Sequence, residues 1–168
     1  MLQNHTFLPI HNLESQILIL GSFPSVISRQ REFYYSHPQN RFWKILEQLF
    51  KTPLKIPLTK ASNSQKRDFL LLHKIALYDV VATCEIEGSS DTKLKIITPN
   101  PIDEILNQSP AIRAIFLNGQ KAAKLYQKHF AFLKIPAFTL PSSSPANAKY
   151  DLEKLLQEWR ILKNYCQD

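Results

Sequence analysis

The run Ile17-Leu18-Ile19-Leu20-Gly21-Ser22-Phe23-Pro24-Ser25 decides the fold of this chain. Four consecutive apolar residues, half of them β-branched, predict a strand buried on both faces, the signature of a parallel sheet covered by helices. Gly21 and Pro24 then predict a tight turn at its carboxyl end. Beyond it stands Phe33-Tyr34-Tyr35-Ser36-His37-Pro38-Gln39-Asn40-Arg41-Phe42-Trp43, a segment crowded with rings, amides and cations. In open α/β sheets ligands bind just beyond the carboxyl ends of the strands, so this loop is the first candidate for a site.

Outward from that strand, three further apolar runs read the same way: Ile75–Val81, Ile112–Leu117 and Ala137–Leu140. Helical spacing separates them. Phe42, Ile45, Leu46, Leu49 and Phe50 share one face of a helix, as do Ala122, Leu125, Tyr126 and His129, and Leu152, Leu155, Leu156, Trp159 and Leu162. Residues Gln65–His73 read as a helix buried nearly all round. The alternation predicts an α/β fold in three α/β/α layers around a mostly parallel four-stranded sheet. Thr52–Ser64, with Pro53 and Pro57, reads as a surface excursion, and Glu85–Asn100, with Gly88-Ser89-Ser90-Asp91, as a long loop. Gly21 and Gly119 each end a strand run, and the last strand runs into Pro141-Ser142-Ser143-Ser144-Pro145-Ala146-Asn147. In a parallel sheet these turns fall at one edge and converge.

Composition narrows the function classes. With 168 residues and 44% hydrophobic content, the chain is expected to form one domain over residues 1–168. No apolar run reaches the roughly 20 residues of a membrane helix, and the first residues resemble no signal peptide, so a cytoplasmic protein is expected. Two cysteines and five scattered histidines predict no metal site. A net charge of +7 favours a polyanionic partner, nucleic acid first among them. The three serines of the late turn lack the Gly-x-Ser-x-Gly elbow of a serine hydrolase.

The Gly21–Ser25 turn, the segment His37-Pro38-Gln39-Asn40-Arg41-Phe42-Trp43 and the late turn Leu140–Asn147 together resemble the uracil-DNA glycosylase superfamily, and within it the hypoxanthine-DNA glycosylase group. The mismatch-specific uracil glycosylases share the His-Pro-x-Asn-Arg-Phe-Trp run at greater distance. The resemblance spans Ile17 to about Trp159. It implies a monomeric enzyme without a cofactor that everts a deaminated base from DNA and hydrolyses its N-glycosidic bond. Two departures stand out: Phe23 replaces the catalytic Asn of the mismatch-specific enzymes, and no His occurs between Pro136 and Asp168. The resemblance moves catalysis to Asn40, which from spacing alone reads first as a cap for the helix carrying Phe42 to Phe50. It places the base among Gly21, Ser22, Phe23, Pro24, Tyr35, Asp79 and Ser142, with Tyr35 as the stacking ring and Asp79 as acceptor for a ring N–H. Arg29, Arg31, Arg41, Lys44, Ser143, Ser144, Pro145 and Asn147 are expected to meet DNA, with Asn147 also read as a cap for the last helix. Asn118 is an even choice between pocket wall and plain turn. A uracil or mixed uracil/xanthine glycosylase and a catalytically silent lesion-binding module stay open at this point.

Overall fold

A computed structural model describes residues 2–85 and 95–166. Strands β2 (Ile17–Gly21), β3 (Ile75–Asp79), β6 (Ala114–Asn118) and β7 (Ala137–Leu140) form a parallel sheet in the order β3-β2-β6-β7. Alternate residues divide the core between its two faces. Ile17, Ile19, Ile75, Leu77, Ala114 and Phe116 point to the side covered by α2 (Phe42–Leu49), α3 (Asn63–Leu72) and α6 (Leu152–Trp159). Leu18, Leu20, Ala76, Ile115 and Leu117 point to the side of α4 (Ile102–Gln108) and α5 (Gln120–Phe130). This is the three-layer α/β/α arrangement expected from the strand–helix alternation. Among the described residues no helix is long and apolar enough to cross a membrane.

A second sheet lies outside that expectation. The run Ile75–Val81 is not one strand: it breaks at Val80, whose N–H bonds Gly21 O, and continues as β4 (Val81–Glu85) in another sheet. There β4 pairs antiparallel with β1 (Leu2–Asn4) and β5 (Lys95–Pro99). Part of the expected long loop is therefore a strand, while Gly88-Ser89-Ser90-Asp91 lies outside the described residues. Apolar periodicity could not separate β3 from β4, because Val80 and Val81 are both fully buried and the break is a change of pairing partner.

Two helical expectations need correction. The segment Gln65–His73 is helical from Asn63, opened by a Ser62/Gln65 capping box, but only Lys66, Phe69 and Leu70 of that helix are buried. Leu72 is 57% exposed, so the helix packs by one face and is not enclosed. Asn147 does not cap the last helix; Asp151 does, accepting from Lys154 N at 2.9 Å. Within the excursion Thr52–Ser64, Leu58 is fully buried and, with Ala61, anchors a largely exposed stretch to the core.

Turns at the carboxyl edge carry the backbone constraints. Gly119 takes φ +100°, and a Cβ there would lie 3.1 Å from Ser142 Cβ. At Gly21, a Cβ would meet Asp79 Oδ1 at 2.4 Å and the Tyr35 hydroxyl at 2.8 Å. A methyl group at position 21 must displace both. Gly21→Ala is expected to lower unfolding free energy by about 1–3 kcal/mol, the usual cost of overpacking, measured by urea denaturation.

Candidate active site

The loop 33–43 reaches the sheet edge because its first and last rings are core residues. Phe33, Tyr34, Phe42 and Trp43 are buried, Tyr34 donates its hydroxyl to Leu8 O at 2.8 Å, and Trp43 Nε1 donates to Tyr34 O at 3.1 Å. Between these anchors Tyr35 adopts φ 52°, a left-handed conformation costing a bulky residue on the order of 1–3 kcal/mol. The turn sends its ring toward the cleft, stacked on Phe42 with centroids 4.0 Å apart. Its hydroxyl is buried beside Gly21, and burial first, then the Asp79 carboxylate, raises its pKa well above the usual phenol value. Tyr35 therefore stays a neutral O–H donor.

A cleft of about 700 Å³ opens there, at the carboxyl edge of the parallel strands. Its wall includes Gly21, Ser22, Phe23, Pro24, Tyr35, Asn40 and Asp79 from the first half of the chain. From the late turn come Ser142, Ser143, Ser144, Pro145 and Asn147. Asn118 lines it as well. Residues more than a hundred positions apart thus share one cavity.

A chain of hydrogen bonds joins the two halves. Asn118 Nδ2 donates to Ser143 Oγ at 3.0 Å, and Ser143 Oγ donates to Asn40 Oδ1 at 2.8 Å. Asn40 Oδ1 also accepts from Phe42 N at 3.0 Å, while Ser143 N donates to Asn118 Oδ1 at 3.0 Å. Two donors on one oxygen fix the rotamer and the sense of the Asn40 amide. Its Nδ2 makes no hydrogen bond to a described residue and stands at the cleft wall as a donor.

Two of the residues expected to touch DNA have internal work. Ser143 is fully buried, its hydroxyl committed to Asn118 and Asn40, so it is no phosphate contact. Arg41 is not a free cation at the cleft mouth. Its backbone N–H bonds Ser143 O, and its guanidinium donates to the carbonyls of Ser144 (2.7 Å), Asn147 (3.1 Å) and Tyr150. A planar fork suits that cluster of carbonyls, as an ammonium would not. Nor does the serine turn sit at a helix N-terminus: α6 starts at Leu152, and Asn147 Nδ2 instead donates to Ser142 O at 3.0 Å.

The other cations expected to meet DNA, Arg29, Arg31 and Lys44, lie outside the wall. Arg29 spans Pro24 O (2.8 Å) and the Phe23 ring, 5.4 Å from its centroid. Arg31 and Lys44 are exposed, on α1 (Val26–Arg31) and α2. Phe23 is buried against Val81 and Cys84. The Asp79 carboxylate meets His5, whose Nε2 donates to Oδ2 at 2.8 Å. No sequence signal led to His5, because its partner lies 74 positions away in another sheet. His37 and Lys121 also line the cleft. Lys121 follows the strand–Gly119 turn closely enough to have been read from that pattern.

Fold and site define an α/β/α protein with a polar ligand cleft at the carboxyl edge of its sheet. The chain belongs to the uracil DNA glycosylase superfamily, whose family model matches residues 8–164. It is similar to the hypoxanthine DNA glycosylase of Methanosarcina barkeri, 32% identical over 144 residues that cover 85% of this chain and 87% of that protein. The hypoxanthine DNA glycosylase of Methanosarcina acetivorans is 31% identical over 148 residues, 88% of this chain and 90% of that protein. A solution NMR structure of a candidate uracil DNA glycosylase from Methanosarcina acetivorans superposes with a TM-score of 0.80 at 29% identity, covering 96% of each chain.

Arg41 holds the late turn by charge-assisted bonds that shorter or unforked cations cannot reproduce. Arg41→Lys is expected to cost at least ~2 kcal/mol of stability in urea unfolding, with the midpoint lowered and the slope unchanged.

Proposed function

We propose that this protein is a DNA base-excision repair glycosylase that hydrolyses the N-glycosidic bond of deaminated bases, hypoxanthine foremost. The observation that carries the reading is the fixed Asn40 amide, a donor held at the wall of a cleft of about 700 Å³, roomy enough to admit an everted nucleotide. Breaking the C1′–N9 bond of deoxyinosine leaves oxocarbenium character on the sugar and negative charge on the departing purine. That charge spreads to O6, N7 and N3, and a preorganised N–H facing it stabilises the transition state more than the ground state. Asn40 Nδ2 is placed for that task. With its Oδ1 already accepting from Phe42 N and Ser143 Oγ, the residue is better suited to hold the leaving base than to orient water. Water adds its hydroxide to C1′ and its proton goes to the released base, leaving an abasic site.

Tyr35 supplies the ring against the everted base, a contact worth on the order of 1–3 kcal/mol. Ser22 and the amides after Gly21 face the base carbonyl, and Asp79 faces the ring N–H. Ser142, Ser144, Pro145 and Asn147 form the turn that approaches the DNA at the lesion, with Arg29, Arg31 and Lys44 meeting flanking phosphates.

Incubating duplexes that carry one deoxyinosine or deoxyuridine, then cleaving with alkali, tests the activity directly. Abasic product from the deoxyinosine strand is expected; binding without product would instead indicate a lesion-binding module. Asn40→Ala is expected to lower the single-turnover rate by about 10²–10³-fold, the usual loss for one charge-stabilising donor, with DNA affinity nearly unchanged. A rate within a few-fold of the parent rejects the role. Affinity for undamaged duplex is expected to fall steeply between 50 and 200 mM salt, as counterion release requires.

A further inference from the structure

Asp79 carries a hydrogen bond from His5 that base excision as described leaves unused. His5 and Asp79 side chains are only 1% and 5% exposed. His5 directly follows β1, and its backbone N–H bonds Ala82 O at 2.7 Å, so the small antiparallel sheet delivers it to the site. Four rings enclose the imidazole: Phe7 and Tyr78 with centroids at 4.5 and 4.9 Å, Tyr34 and Phe23 at 6.0 and 6.2 Å. The ring has no room to swing away. It grips one carboxylate oxygen, Oδ2. The other, Oδ1, makes no hydrogen bond to a described residue and lies against Gly21 at the cleft.

We propose that His5 is a positioning residue for base selection, holding Asp79 so that Oδ1 faces the everted base as a fixed acceptor. The inference rests on the excision reading above. Deamination of adenine or cytosine has one consequence common to both products. The ring nitrogen beside the altered carbon changes from a lone-pair acceptor to an N–H donor next to a new carbonyl. Hypoxanthine N1–H and uracil N3–H can therefore donate to Oδ1. Adenine N1 and cytosine N3 would set a lone pair against a carboxylate oxygen in a site with little water, leaving two acceptors unpaired. A site that requires a hydrogen-bond partner discriminates far more strongly than one that measures shape. A freely rotating carboxylate would weaken that discrimination, and His5 removes the freedom.

Three variants test this. His5→Phe fills the ring cage without a donor, His5→Gln restores an N–H toward Asp79, and Asp79→Asn exchanges the acceptor. Each is assayed for single-turnover excision from deoxyinosine duplex. Each is also assayed for binding to duplexes carrying uncleavable 2′-fluoroarabino analogues of deoxyinosine and deoxyadenosine. His5→Phe is expected to lose about tenfold or more in excision and a similar factor in inosine-over-adenosine binding preference, as the loss of a charged hydrogen bond implies. His5→Gln should recover both to within about threefold of the parent, under 1 kcal/mol. In Asp79→Asn the His5 N–H holds the amide oxygen and turns the NH₂ to the base, so the preference should shift toward the adenosine analogue. That variant decides the matter if His5→Phe does not fold by thermal melting. A binding preference unchanged in both His5→Phe and Asp79→Asn overturns the proposal while leaving excision intact. If the parent excises no deoxyinosine, the excision reading fails by itself. An inosine preference that His5→Phe erases would then still support His5, and a parent without any preference would overturn it.

Discussion

The Arg41 guanidinium and the Asn118–Ser143–Asn40 hydrogen-bond chain tie two distant turns into one wall, and the candidate site depends on that tie. The turn after β7 is built of small polar residues with little apolar area to bury, so hydrophobic packing alone would not hold its shape. Carbonyls of Ser143, Ser144, Asn147 and Tyr150 converge because one planar cation neutralises them from within. Trp159 Nε1 adds a bond to Pro141 O at 2.9 Å from α6. The turn is rigid because its polar groups are satisfied internally, and that rigidity carries Ser143 to Asn40.

Preorganisation follows from this arrangement. A side-chain amide on a loop ordinarily samples two senses, O or N toward a ligand. Here the N–H of Phe42 and the O–H of Ser143 meet on Asn40 Oδ1 and leave one sense. Tyr35 shows the same economy of motion: left-handed backbone, ring stacked on a core phenyl, hydroxyl buried against Gly21. Such strain persists only where surrounding packing over-determines it, and such residues cluster at functional sites.

The small sheet β1-β4-β5 changes how the fold is understood. Viewed as layers alone, the molecule is a parallel sheet between helices, and the N-terminal segment is an appendage. Its residues instead reach the site, because the chain leaves β3 at Asp79, switches sheets at Val80 and pairs with β1. The carboxylate that ends one sheet and the imidazole that follows the edge strand of the other meet at their junction.

Much was legible in the linear order of residues. Runs such as Ile17–Leu20, their glycine punctuation and the apolar spacing of Phe42–Phe50 are local patterns, so layers, parallel sheet and convergence of the turns followed from them. Asn40, Tyr35 and the serine turn were legible because their neighbours form recognisable segments. Roles that depend on partners far along the chain were not. Arg41 and Lys44 look alike as cations in sequence, yet one is spent on carbonyls of the late turn and the other is exposed. Ser142, Ser143 and Ser144 look alike in sequence, yet Ser143 alone of the three is buried and bonded to Asn118 and Asn40. Local periodicity determines the buried strands and the helices that cover them; the change of sheet at Val80 and the side chain that each polar group meets are set by packing between elements, and only the folded chain decides them.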